Sequence, residues 1–238
     1  MKVVAFDIFG DFAHFRRFYT TSSPLTFSFP PPPTIAGILG AIVGIDKKKY
    51  LDIFLSGKCK ISARIVKPVK RIRIGLNFIN TKDNYWIPVK RGKHEARTQI
   101  RAEFIKDPYY RIYISHEDND IFSELTNMLS KHKTYFTISL GLSELLADYN
   151  YIGVLNLRET RDYEGDICSI IPVYRIRNSK IIFENGKKYF KDRVPIIMNS
   201  ERKVEKYDDV IYEAQGNTIK AAVNECWETD DGEQILFF

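Results

Sequence analysis

Histidine, cysteine and the signatures of the common enzyme classes are what this chain has little of. Among its 238 residues are 4 His and 3 Cys. Cys59, Cys168 and Cys226 are odd in number and far apart, with no C-x-x-C pair and no His at zinc spacing. Such thiols support neither a disulfide framework nor a structural zinc, and a reducing compartment is the expectation. No G-x-x-x-x-G-K-[ST], G-x-S-x-G or H-E-x-x-H occurs, which excludes the phosphate-cradling loop, the nucleophile elbow and the zinc-protease helix. Asp118-Asn119-Asp120 and Asp230-Asp231 lack the spaced oxygens of a calcium loop, so no metal or other cofactor is expected. The longest apolar run, Ile35 to Ile45, is too short to span a bilayer. Met1 leads straight into a segment holding Asp7 and Asp11, unlike a signal peptide. A cytoplasmic protein with no membrane partner is the expectation.

What is present is a folding composition and an uneven charge. Hydrophobic residues make up 44%, with 16 Phe and 14 Tyr, enough for a real core in one large or two small domains. No internal repeat of about 20–50 residues is visible. Net charge is +6, but Lys58 to Arg111 holds 15 Lys or Arg against 4 Asp or Glu, so the rest of the chain is net −5. Such a split, interleaved with aromatics, points to one polyanion-binding region.

Residues 6 to 45 are the most informative block. Four prolines, Pro30 to Pro33, each lack an N–H and fix φ, so the chain is expected to halt there. Thr34 is expected to cap the following helix, whose apolar face is Ile35, Ile38, Leu39 and Ile42. Gly37, Gly40, Ala41 and Gly44 form a side-chain-poor face. Interior glycine costs a helix about 1 kcal/mol against alanine, so a packed strand or a ligand should come close to that backbone.

Elsewhere, residues 2 to 9 read as a strand. Ile61, Ala63, Ile65 and Val69 alternate with Arg64, Lys67 and Lys70 through 60 to 78, as in one half-buried strand. Residues 80 to 96 read as the tip of an insertion, and RAEFI and YRIYIS as strands around Pro108. A helix is expected over about 120 to 132, with Ile121, Leu125, Met128 and Leu129 on one face. A strand follows Gly141. The order strand, helix, strand, insertion, strand, helix, strand is the split β-α-β order of an α+β, ferredoxin-like fold. The acidic stretch 159 to 166 reads as a boundary. Beyond it, alternating segments with turns at Asn185-Gly186 and Gly216 suggest a small β-rich C-terminal lobe. The expected division is 1–160, with a basic insertion at about 66–106, and 161–238.

The FGDFAHFR strand end, the TTSSPLTFSFPP stretch and the TIAGILGAIVG helix resemble, in that order, the N-terminus of the CRISPR-associated protein family five. This is a RAMP-type subunit of the Cascade surveillance complex, and the chain looks most like the type I-B branch. Weaker echoes lie in RTQIRAEFIKDPYYRIYIS (97 to 115), LGLSE (140 to 144) and VPIIMNSER (194 to 202). The resemblance implies an RRM-like core with a β-hairpin thumb inserted in its middle. It further implies, as partners, the crRNA 5′ handle, the Cascade backbone subunit, the Cascade large subunit and, in the assembled complex, target DNA.

Candidate RNA-binding residues fall into three groups. Arg16 and Arg17, beside Phe15, Phe18 and Tyr19, can clamp phosphate and stack bases, or the rings can simply belong to the core. The helix start at Thr34 and Ile35 offers free N–H groups to a phosphate, although packing explains the glycines equally well. Lys67, Lys70, Arg71 and Arg73 form one basic limb, and Lys90, Arg91, Lys93, Arg97 and Arg101 the returning one. Tyr85 and Trp86 lie near the tip, a shape suited to a nucleic-acid backbone. A metal-independent RNase would need a base, an acid and a cation, and of His14, His94, His116 and His132 only His94 sits among lysines and arginines. The resemblance implies that type I-C relatives process RNA whereas type I-B complexes leave that cut to another enzyme. The expectation is a non-catalytic RNA-binding Cascade subunit in antiviral defence. Its competitors are a repeat-processing endoribonuclease and a protein-interaction adaptor.

Overall fold

The computed structural model describes residues 1–20, 23–80 and 95–238. Strand β1 (Lys2–Gly10) is the axis of the fold, with Val3, Val4, Ala5, Phe6 and Ile8 all fully buried. A strand apolar on both faces has to be covered on both. After a two-residue strand β2 (Phe12–Ala13) come helix α1 (Pro32–Val43), the short helix α2 (Tyr50–Phe54) and β3 (Cys59–Ile65). Then follow β4 (Lys70–Ile79), β5 (Arg97–Lys106), β6 (Tyr109–His116), α3 (Asn119–Ser130) and β7 (Ala147–Asn156). The main sheet has the order β3-β6-β1-β7, antiparallel throughout. The unit β1-α1-β3 therefore has β6 lying between its two strands.

Two local expectations are corrected. The proline run does not end before the helix: Pro31 is the N-cap, and Pro32 and Pro33 are the first helical residues. Proline is tolerated there because the first-turn N–H groups have no intrahelical partner to lose. The segment 60 to 78 is not one strand. It breaks at Val66 to Val69, around Pro68, where the Val66 N–H donates to Tyr109 and the Val69 N–H to Ala214, so β3 and β4 belong to different sheets. β4 and β5 pair antiparallel over all ten residues, from Lys70↔Lys106 to Ile79↔Arg97, as a two-stranded ribbon that β2 joins at its root.

The remaining strands are β8 (Arg158–Ile167), β9 (Ile171–Pro172), β10 (Ile176–Ile182), β11 (Tyr189–Met198), β12 (Val204–Glu213), β13 (Ile219–Glu228) and β14 (Gln234–Ile235). The acidic stretch 159 to 166, read above as a boundary, is itself part of a strand. It lies within β8 and pairs with β13, Arg161 opposite Glu225 and Tyr163 opposite Val223. These strands have a small apolar cluster of their own, with Ile167, Ile171, Ile219, Val223 and Leu236, but they also share the main core. Val194, Ile196, Val210 and Tyr212 join Phe6, Ile8, Ile35 and Leu39 in one apolar cluster. On the other face of the sheet Trp227, Ile235 and Phe237 cover Val3, Ala5 and Tyr113. Each fully buried Leu, Ile or Phe contributes about 1.5–3 kcal/mol, so both sides of the expected division stabilise a common interior.

On the side-chain-poor face of α1, Gly37 and Gly40 face Tyr50 of α2, and Gly44 faces the Tyr135 ring. A Cβ on Gly40 would lie 2.8 Å from the Tyr50 Cβ, whereas one on Gly37 would make ordinary contact with the ring at 3.7 Å. α3 starts at Asp118, whose carboxylate accepts the N–H groups of Asp120 and Ile121, so this part of the acidic cluster is a helix cap. Leu125 and Leu129 face the core, as the spacing required.

Candidate nucleic-acid interface

The ribbon sorts its basic residues by strand alternation. Arg71 and Arg73 share a face of β4, and the register Gly75↔Arg101 and Ile79↔Arg97 puts Arg101 and Arg97 on that same face of β5. All four are exposed. The other face carries Ile72, Ile74, Ala102 and Phe104 and turns inward. Lys70 and Lys67 do not belong to the basic face. Lys70 lies on the opposite side, opposite Lys106, with its ammonium 3.4 Å from Asp107. The Lys67 ammonium sits 4.6 Å above the Tyr109 ring. The expected single basic limb is thus divided, because adjacent residues of a strand point to opposite faces. Lys90, Arg91 and Lys93, with Tyr85, Trp86 and His94, lie outside the described residues.

Arg17 is not a free cation. Its two terminal nitrogens fork onto both oxygens of Asp192 at 2.8 Å, its Nε donates to the Thr26 carbonyl, and Nη1 also reaches the Tyr19 hydroxyl. The Phe27 ring lies 5.0 Å beneath the guanidinium. Burial by itself would favour loss of the proton, but the Asp192 and Tyr19 contacts outweigh it and raise the Arg17 pKa. A guanidinium so committed joins the loop to β11 and has little left for a phosphate. Arg16, by contrast, is exposed and makes one long bond to the Thr20 carbonyl. Phe15 belongs to the core, whereas Phe18 and Tyr19 are more than half exposed, Phe18 leaning on Tyr207.

The start of α1 cannot hold a phosphate on its backbone. Pro31, Pro32 and Pro33 carry no N–H, and the Thr34 and Ile35 N–H groups both donate to the Pro31 carbonyl. Ile35 is also buried, with 1% of its surface exposed. The proline run that positions the helix therefore removes the donors expected there. Thr34 remains relevant for its side chain. Together with Arg16 it lines a cleft of about 460 Å³ whose walls also include Gly37, Ser139, Leu142 and Arg202.

This cleft collects segments far apart in the chain: the loop after β2, the first turns of α1, the 137–142 segment and the turn between β11 and β12. Gly141 makes the approach possible, since at φ +106° its missing Cβ would fall 1.9 Å from the His14 carbonyl oxygen. The His14 N–H in turn bonds the Leu140 carbonyl at 2.9 Å. Among the described residues no Asp or Glu lines the cleft, and two arginines do. It lies within the ~300–1,000 Å³ of ordinary ligand sites and combines an apolar floor with hydroxyls and cations, a lining suited to an anion that carries a flat ring. Arg202, Ser139 and Leu142 were not among the expected site residues. For Leu142 and Arg202 the signal was in LGLSE and VPIIMNSER, segments that nothing local connects to Arg16.

Each described histidine has partners in the fold, and His14 also lines the cleft. His14 is buried, with Nδ1 2.7 Å from the Glu103 carbonyl. His116 accepts the Asp118 N–H next to the α3 cap. His132 lies against Asp148 and stacks on Tyr149. A further charged cluster, absent from the expected sites, occupies the opposite face of the sheet. There Arg111 forks onto Asp7, and Glu233 contacts Arg64 and accepts from the Tyr113 hydroxyl. Burial would raise the Glu233 pKa, but Tyr113, Arg64 and Arg111 together lower it.

The family model described as CRISPR-associated protein (Cas_Cas5) matches residues 3–209. The chain belongs to the CRISPR-associated Cas5 family. No curated protein matches it. Among solved structures, a Cas5 chain of this shape resembles a component of a "CRISPR RNA-guided surveillance complex" at 13% identity and TM-score 0.56, covering 92% of this chain and 91% of that one. It is also similar to a CRISPR protein from Archaeoglobus fulgidus, at 13% identity and TM-score 0.55, covering 99% and 98%. At such identities the likeness is one of fold: mixed α/β, mostly antiparallel, with few helices. Among the described residues no helix is long and apolar enough to cross a membrane.

Proposed function

We propose that this Cas5 chain is a non-catalytic RNA-binding subunit of a type I Cascade complex, of the type I-B kind, that holds the crRNA 5′ handle and caps the backbone filament. The four-stranded sheet with α1 and α3 is read as its ferredoxin-like core, and the β4–β5 ribbon as its thumb. The observation that carries the proposal is the cleft that Arg16, Thr34 and Arg202 line from three separate segments, with no carboxylate among the described residues of its lining. The basic ribbon face of Arg71, Arg73, Arg97 and Arg101 adds a track for phosphates. The family and the fold likeness to a surveillance-complex component support the same reading. Its partners are the CRISPR RNA, the backbone subunit, the large subunit and, in the assembled complex, target DNA, and its compartment is the cytoplasm.

The test is a binding and cleavage experiment with handle-bearing and repeat RNA. The expected result is salt-sensitive binding that weakens in Arg16→Ala and Arg202→Ala, with the RNA left intact. Specific cleavage that disappears in His94→Ala and with a 2′-deoxy substrate would make the chain a repeat-processing nuclease instead. Absence of any ultraviolet crosslink to RNA would leave the adaptor.

A further inference from the structure

A second cavity, of about 270 Å³, opens at the root of the ribbon, where β4 leaves the turn at Pro68. Its walls include Val69 and Arg71 on one side and Lys188, Phe190 and Gln215 on the other. These walls are fixed by main-chain bonds: Val69 N–H to the Ala214 carbonyl at 2.7 Å, and Ala214 N–H to the Lys188 carbonyl at 2.8 Å. Gly216, at φ +86°, lets the turn between β12 and β13 press against the chain before Pro68, for a Cβ there would lie 2.8 Å from the Val66 carbonyl oxygen. The cavity is thus built by the fold and needs no rearrangement to exist.

Its chemistry is two cations and a ring. The Arg71 guanidinium is oriented by Ser28 Oγ at 2.6 Å and stands 5.8 Å from the Phe190 ring centre. Phe190 is 42% exposed and is backed by Tyr212, whose ring lies nearly parallel at 5.8 Å. Lys188 is exposed, and its ammonium has no ion-pair partner among the described residues. Two carboxylates are close. Glu103 lies 3.9 Å from the Arg71 Nε, while buried Glu213 is occupied by the N–H groups of Lys188, Gln215 and Asn217. Neither lines the cavity.

We infer that this cavity is a nucleotide subsite of single-stranded RNA, in which Lys188 and Arg71 hold one phosphate and Phe190 packs against the adjoining base. The inference rests on the RNA-binding reading above. Guanidinium, ammonium and an exposed ring are the groups that hold single strands without regard to sequence. Its size, just under the ~300 Å³ lower bound of ordinary ligand pockets, fits one phosphate with the edge of a base. Arg71 decides for RNA over an acidic peptide. It is the first residue of the basic ribbon face, so the cavity continues the track of Arg73, Arg101 and Arg97. An acidic peptide would satisfy the cations but would leave the Phe190 ring without a stacking partner.

The experiment uses the full chain, single-stranded RNA carrying photoreactive uridines, and the variants Lys188→Ala, Phe190→Ala and Arg16→Ala, with melting temperatures recorded for each. Lys188→Ala touches no packed contact and should keep the wild-type melting temperature. It should weaken binding several-fold and reduce the slope of log K against log salt by about 0.7, the value for one phosphate of a single strand. Wild type should give an adduct at Phe190. Were wild type to bind RNA and Arg16→Ala to weaken it, while Lys188→Ala left slope and affinity unchanged and no adduct fell in 188–190, the subsite would be wrong and the RNA reading would stand. Failure of wild type to bind RNA at any salt would remove both. A labelled oligoglutamate whose binding, unlike that of RNA, depends on Lys188 would reassign the cavity to an acidic peptide.

Discussion

Arg17 and Asp192, 175 residues apart in the chain, are joined by two parallel hydrogen bonds of 2.8 Å, with each side chain only 12% exposed. Tyr212 donates to the same carboxylate at 2.9 Å. The pair fastens the loop after β2 to β11, and thereby holds Arg16 at the edge of the cleft.

Arg17→Ala should therefore lower stability, by about 1.5–3 kcal/mol, the usual value for hydrogen bonds to a charged group. Arg17→Lys should recover only part of it, since an ammonium cannot fork onto both oxygens. Urea unfolding measures both. At equal folded fraction RNA affinity should change little in Arg17→Lys. A large loss there with stability intact would return Arg17 to the phosphate-binding set.

The glycines of α1 give opposite expectations three residues apart. Gly40→Ala places a Cβ 2.8 Å from that of Tyr50 and should lower the melting temperature despite the better helix propensity of alanine. Gly37→Ala has 3.7 Å to the Tyr50 ring and should be neutral or stabilising by up to about 1 kcal/mol. Because Gly37 also lines the cleft, its variant should bind RNA more weakly while melting no lower. Equal melting temperatures for the two variants would contradict the packing of Tyr50.

Much of this fold was legible because it follows from periodicity. Ile35, Ile38, Leu39 and Ile42 face the core as their spacing requires, and α3 spans Asn119–Ser130 where a helix was expected over about 120 to 132. What was not legible depends on distant partners. The acidic stretch 159 to 166 is a strand because β13 pairs with it, and β13 begins more than 50 residues later. Arg17 looked like a phosphate clamp because Asp192 is invisible from its neighbourhood. Lys70 and Arg71 looked like one patch until the break at Pro68 set the phase of β4. The helix start misled for a local reason: four prolines were read as a stop, although the last two fit the first turn. Most residues of the cleft lay in quoted segments, although Tyr50 and the 137–139 stretch did not, and only the fold brings Arg202 to Arg16.

The division of the ribbon predicts a contrast between residues of one charge. Arg73→Ala combined with Arg101→Ala should reduce the salt slope of RNA binding by about 1.4, two single-strand phosphates. Lys67→Ala combined with Lys70→Ala should leave it nearly unchanged, because these side chains lie toward Tyr109 and Asp107. Filter binding across a salt series reads both, and equal slopes for the two double variants would reject the one-sided track.

Acid stability should depend on Glu233, which sits in a turn far from the cleft. Its carboxyl is held below its ordinary pKa of 4.5 by Tyr113, Arg64 and Arg111 against the opposing effect of burial. A carboxylate with a folded pKa below its unfolded one stabilises the protein above the unfolded value and loses that contribution as pH falls through the folded value. The loss should therefore begin near pH 4.5 and deepen below it. Glu233→Gln keeps the shape but not the charge, and leaves Arg64 and Arg111 without that partner. It should be less stable than wild type at neutral pH, and the difference should shrink as the pH is lowered below 4.5. Urea midpoints across pH 3 to 7 measure this, and a gap that stays constant over that range would show that the charge of Glu233 does not stabilise the fold.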